Sequence, residues 1–161
     1  MKIKSIVISV VFLLSLSCEN NDDIDKEKPV ISTEYADAFP SYCDTLYFGD
    51  SFNLKALFTD NDELGSYSID IHNNFDHHSH GHNIDQCNLA PKKTPVNPFV
   101  FIEDYEIPKG KKEYLVNQPI SIPAGNSLGL FDEGDYHFQI FLSDKGGWST
   151  PLGLSVKMLH R

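Results

Sequence analysis

Five histidines fall within eleven residues in the stretch HNNFDHHSHGH at 72–82: His72, His77, His78, His80 and His82, with Asp76 among them. The whole chain has seven histidines, so the density belongs to this one segment and not to the composition. Neutral imidazole is a borderline ligand favoured by zinc, copper and nickel, and zinc takes four ligands in a tetrahedron at about 2.0–2.1 Å from nitrogen. In an extended backbone His78, His80 and His82 are two apart and share a face, whereas His77 points away. Asp76 suits either a direct oxygen ligand or an acceptor that orients an imidazole. A loop alone binds weakly, because ordering it costs about 1–2 kcal/mol of conformational entropy per residue. A tight site therefore needs histidines fixed on regular elements. Without them the stretch is a solvated, glycine-punctuated connection that picks up zinc or nickel through density alone.

The elements available to fix them are strands. No part of the chain beyond its first residues carries a helical pattern, and proline or glycine interrupts it often. Alternation recurs instead. LYFGDSFNLKALF at 46–58 places Phe52, Leu54, Ala56 and Phe58 on one face, and SYSIDIH sets Tyr67, Ile69 and Ile71 against Ser68, Asp70 and His72. FVFIEDYEI at 99–107, QPISIP at 118–123, YHFQIFLSD at 136–144 and LGLSVKML at 152–159 follow, with PVIS at 29–32 as an opening strand. This predicts an all-β, antiparallel β-sandwich of about seven strands. The turn Asp132-Glu133-Gly134-Asp135-Tyr136 resembles the tyrosine corner of immunoglobulin-like folds. The texts FTDNDELGSYSIDI and GDYHFQIFLSDKGGWST resemble bacterial surface immunoglobulin-like modules. In such a fold the strand ending at His72 and the strand beginning at Tyr136 are antiparallel neighbours. His72 and His137 are thereby expected together on the outer face of one sheet, where the His-rich loop emerges. Two strand-held histidines would form half a site, and the loop would complete it.

The N-terminus bears on compartment. MKIKSIVISVVFLLSLSCEN has Lys2 and Lys4, an apolar run from Ile6 to Leu14, and small residues leading into Cys18. Residues 1–17 read as a secretory signal too short to span a bilayer, and the approach to Cys18 resembles the bacterial lipoprotein signal, with Cys18 lipidated. Residues 18–28, polar and largely acidic, read as a flexible tether, leaving 29–161 as one domain. The acidic run resembles a Bacteroidetes surface-export signal and equally suits a plain solvated linker. Loss of residues 1–17 removes two lysines and no acid, taking the formal charge from −10 to −12. Such a surface repels nucleic acid and anionic headgroups, so membrane association is expected through the lipid anchor only. Cys43 and Cys87 most simply form one disulfide in an oxidising compartment, soft metal ligation being the alternative.

The segment IDIHNNFDHHSHGHN, together with the secretion signal, looks like the signature of a family of Bacteroidetes lipoproteins built on a domain of unknown function. The resemblance extends over nearly the full mature domain and brings no activity with it, so residue roles stay those read from spacing. The expected function is a cell-envelope, outer-membrane lipoprotein, facing the periplasm or the cell surface, that binds zinc, with copper or nickel as alternatives, for capture, buffering or delivery to an outer-membrane transporter. The competing reading is an adhesion or glycan-contacting module, with Tyr105, Tyr114 and Trp148 as stacking surfaces. Catalysis is not expected: there is no GxSxG elbow, phosphate loop or HExxH helix, and nothing selects Glu103, Asp104 or Glu106 as the base of a zinc hydrolase. A calcium site is a separate reading of Asp60, Asn61, Asp62, Glu63 and Asp144, for which ordinary turn chemistry is the simpler account. His160 reads as incidental.

Overall fold

The computed structural model describes residues 25–79 and 87–161. Among the described residues every regular element is a strand. In chain order they are β1 (Val30–Ser32), β2 (Thr45–Tyr47), β3 (Ser51–Thr59), β4 (Leu64–Asn73), β5 (Phe101–Glu106), β6 (Glu113–Ser121), β7 (Gly125–Asn126), β8 (Gly129–Leu130), β9 (Gly134–Asp144) and β10 (Ser149–Leu159). A three-stranded sheet β1-β3-β6 faces a five-stranded sheet β2-β10-β9-β4-β5, and β7-β8 forms a small separate hairpin. All pairings are antiparallel except β2 with β10.

The alternation that predicts the strands also builds the core. Leu54, Ala56 and Phe58 of β3 are buried against Tyr67, Ile69 and Ile71 of β4 and Tyr136, Phe138, Ile140 and Leu142 of β9. Ring contacts join the sheets: Phe58 meets Tyr67 with centroids 5.2 Å apart, and Phe52 meets Phe138 at 6.1 Å. This is the expected all-β sandwich, with ten strands where about seven are read from the sequence. Part of the excess comes from 46–58, a single strand by its pattern. Gly49, at φ 88°, breaks it into β2 and β3, which join different sheets; positive φ is open to glycine at little cost. Phe48 donates its N–H to Leu159 O (2.9 Å) and Gly49 to Ile122 O (2.8 Å), so the break is itself hydrogen-bonded.

The turn before β9 has the expected tyrosine corner. The Tyr136 hydroxyl donates to Asp132 O at 2.7 Å and accepts from the Phe99 N–H at 3.2 Å. Burial pushes this phenol up to about 12, so it remains a donor at any ordinary pH. Tyr136→Phe keeps the ring but leaves a backbone donor and acceptor without their partner. The expected cost is about 1–3 kcal/mol, read as a lower denaturant midpoint with an unchanged slope.

Cys43 and Cys87 are joined by a disulfide, S–S 2.07 Å. It pins the chain that follows the histidines onto the outer face of β10, where Cys43 also donates its N–H to Ser155 O at 2.8 Å. Ala90 N–H donates to Asp135 Oδ2 (2.7 Å), Lys157 Nζ to Asn88 O (2.8 Å), and Lys93 N–H to Phe75 O (3.1 Å). The outer face of β9 and β10 is therefore covered, and Asp135, His137, Gln139 and Ser155 are buried although none faces the sandwich core.

Candidate metal centre

The site begins where β4 ends and β9 starts. In their antiparallel register His72 lies directly opposite His137, and Asn73 opposite Tyr136. Their neighbours Ile71 and Phe138 point into the core, so the two imidazoles share the other face. Beyond β4 the chain stays attached to β9 for one more bond, Asn74 N–H to Asp135 O at 2.8 Å. Phe75 then drops into the core against Tyr136 (centroids 5.3 Å, 87°). A turn follows, closed by His77 N–H to Asn74 O at 3.1 Å with His77 at φ 61°. It brings His78 back over the pair, and the His78 carbonyl accepts from His137 Nε2 at 3.2 Å.

Three imidazoles thereby converge. Ring centres are 5.3 Å apart for His72 and His137, 4.8 Å for His78 and His137, and 5.9 Å for His72 and His78. With tetrahedral angles and metal–nitrogen bonds of about 2.0–2.1 Å, imidazole centres around one ion sit roughly 5 Å apart. Each ring offers one nitrogen, and these atoms lie within 4.8 Å of one another, so the group could hold a metal ion. Hydrogen bonding sets which nitrogen that is. His72 Nδ1 lies 2.8 Å from Asp70 Oδ1, and His78 Nδ1 lies 2.5 Å from Asp76 Oδ1. A carboxylate or carbonyl oxygen only accepts, so these two rings carry hydrogen on Nδ1 and His137 carries it on Nε2. The lone pairs are then on Nε2 of His72 and His78 and on Nδ1 of His137. Orientation of a ligating imidazole by an oxygen acceptor on its other nitrogen is the usual arrangement around protein-bound metals.

The structure sorts the sequence-predicted residues. His72, His78 and His137 are brought together. Asp76 takes the orienting role rather than that of a grouped ligand, and the His78 ring beside it holds its carboxyl below the usual carboxylate range. His77 is turned away, its Nε2 3.6 Å from Asp135 Oδ2. His80 and His82 lie outside the described residues. Cys43 and Cys87 are bonded to each other and give no thiolate ligand. His160 packs on Phe48 and bonds to Phe131 O, far along the chain from the cluster. His137 lies beside His72 on the expected outer face of the sheet, and on that face it is fully buried. The turn after β4, which no alternation pattern reveals, contributes by bringing His78 over it. Asp70 was not singled out from the sequence as an orienting residue. Its signal is there nonetheless, because Asp70-x-His72 and Asp76-x-His78 share one spacing, and residues two apart on a strand lie on the same face.

Residues 16–159 match the profile of a family described as a domain of unknown function, DUF4625. No curated protein matches the chain in sequence. The family match spans both cluster-bearing strands and the turn between Asn74 and His78. On that coverage the protein belongs to the DUF4625 family.

Proposed function

We propose that the protein is a cell-envelope lipoprotein, anchored through Cys18, that binds zinc through His72, His78 and His137 for capture, buffering or delivery. The observation that carries the reading is the set of three converging imidazoles, each oriented by an oxygen acceptor on one ring nitrogen and each offering one ligand atom within 4.8 Å of the others. A polar loop without a metal role has no need to bury one histidine completely and orient two more with carboxylates. Neutral imidazole favours zinc, with copper and nickel as competitors for the same donors. Three protein nitrogens leave one tetrahedral position, which the two-residue spacing assigns to His80 or His82. A Bacteroidetes outer-membrane location rests on the signal-like residues 1–18 and the acidic stretch after them, and a transporter is the partner that delivery of the metal would require.

The role is binding and not catalysis. Glu103, conceivable as a base, accepts from the Tyr105 hydroxyl at 2.7 Å and pairs with Ile69, three residues along β4 from His72 and so roughly 10 Å away along the strand. A glycan-contacting role draws less support. Tyr105 stacks on Tyr67 (4.9 Å, 15°), Tyr114 packs on the core, and Trp148 stands at another turn.

The test is a competitive zinc titration of the full chain in detergent. One equivalent with Kd below about 1 μM is expected, corresponding to about −8 kcal/mol or better. Several weak equivalents would return the stretch to a polar loop. Asp70→Asn in the same assay is expected to weaken binding about 10–100-fold without touching a ligand.

A further inference from the structure

At the opposite end of β4 and β9 from the histidines, three carboxylates meet. Asp25 precedes β1, Asp60 lies in the turn between β3 and β4, and Asp144 ends β9. One oxygen of each serves its local turn. Asp25 Oδ1 accepts from Asn61 Nδ2 (2.8 Å) and Glu27 N–H (3.1 Å), Asp60 Oδ2 from Asp62 N–H (2.9 Å), and Asp144 Oδ1 from Trp148 N–H (2.8 Å). The remaining three oxygens, Asp25 Oδ2, Asp60 Oδ1 and Asp144 Oδ2, are buried and have no hydrogen-bond partner among the described residues. Asp144 is 7 % exposed. The three residues each supply an oxygen within 4.8 Å of the others.

Turn formation accounts for the first set of oxygens and not for the second. Buried carboxylate oxygens this close repel one another, and leaving them without a partner is costly. The fold also makes room for the approach. A Cβ at Gly146 would stand 2.8 Å from Asp25 Oδ2 and 3.0 Å from Asp25 Cβ, so a side chain there would push Asp25 off the group. No lysine or arginine is ion-paired to any of the three among the described residues.

We infer that Asp25, Asp60 and Asp144 form a calcium site that staples the N-terminal segment to this end of the sandwich. Calcium takes oxygen ligands at about 2.3–2.6 Å, which places oxygens on opposite sides of the ion up to about 5 Å apart, and water can supply the rest of its shell. Two positive charges offset most of the three negative ones. A further consequence rests on the lipid anchor proposed above, which the site itself does not need. Cys18 and Asp25 are seven residues apart, a reach of at most about 25 Å. A calcium-bound Asp25 would therefore hold this end towards the membrane and turn the histidine cluster away from it.

Trp148 is the single tryptophan of the chain, and it reports on the site directly. Its Nε1–H donates to Asp25 O at 3.0 Å and its backbone N–H to Asp144. The experiment is a calcium chloride titration of the chelator-stripped full chain, following Trp148 fluorescence and melting temperature together. Both are expected to change with one saturable midpoint at about 10⁻⁴–10⁻³ M, the range of extracellular calcium modules. Asp144→Asn keeps the shape and the bond to Trp148. It is expected to melt at or above the wild-type temperature in chelator, through relief of repulsion, and to lose the calcium response by at least about tenfold in midpoint. A wild-type melting temperature indifferent to calcium up to about 10 mM, or an equal rise in Asp144→Asn, would overturn the site.

Discussion

His137→Ala is expected to lower zinc affinity by about 10²–10³-fold, the largest single effect on binding. Structural zinc sites bind with about 10–16 kcal/mol, so one of four ligands carries roughly 3–4 kcal/mol. His137 should stand at the upper end of that range. It is held by the β4–β9 register opposite His72, it is fully buried, and its ring is fixed by the His78 carbonyl. Its nitrogen is thus placed before an ion arrives, and the loop has only to close on it. The control is His77→Ala, one residue from His78 but turned towards Asp135, which should leave zinc affinity unchanged. Equal losses in both variants would mean that density of histidine, and not position, governs binding.

Removing the disulfide is expected to have an effect of similar size, on stability. Cys43 and Cys87 are 44 residues apart, and closing such a loop contributes about 4 kcal/mol in the chain-entropy model. The double variant Cys43→Ser, Cys87→Ser should lose most of that, seen as a fall of roughly 10–20 °C in melting temperature. Zinc affinity should fall as well. The bridge anchors the chain downstream of the histidines to β10, so without it more residues must be ordered when the loop closes on an ion. Wild-type protein treated with reductant should follow the double variant in both respects. Unchanged zinc affinity in the unbridged protein would place the whole energetic burden on the two strands and the Asn74–His77 turn.

Much of this arrangement was legible in the sequence. Period-two alternation in SYSIDIH and YHFQIFLSD was enough to put His72 and His137 on one face of neighbouring strands, because a strand's side-chain direction follows from position alone. The tyrosine corner was readable by resemblance, since Asp132-Glu133-Gly134-Asp135-Tyr136 is similar to the corner of immunoglobulin-like folds. Alternation could not show that 46–58 breaks at Gly49, since both halves keep the pattern across the turn. Nor could it show that His137 is buried. That burial involves the irregular turn after β4, which carries His78 over His137, and irregular chain leaves no periodic trace. The acid group was read only in part, as a calcium site on Asp60 and Asp144 with their neighbours, and set aside in favour of turn chemistry. Asp60 and Asp144 looked like turn formers, and they are, through one oxygen each. The decisive partner, Asp25, sits in a stretch whose composition reads as a tether.

The measurement closest to the central claim is zinc-edge X-ray absorption of the full chain carrying one equivalent of zinc. The proposal requires a shell of nitrogen or oxygen at about 2.0 Å, no sulfur, and outer-shell scattering from at least three imidazoles. Loss of one imidazole's scattering in His137→Ala would tie that shell to the β4–β9 pair. A spectrum dominated by oxygen ligands, or one that His137→Ala leaves unaltered, would contradict the site and return HNNFDHHSHGH to a polar connection.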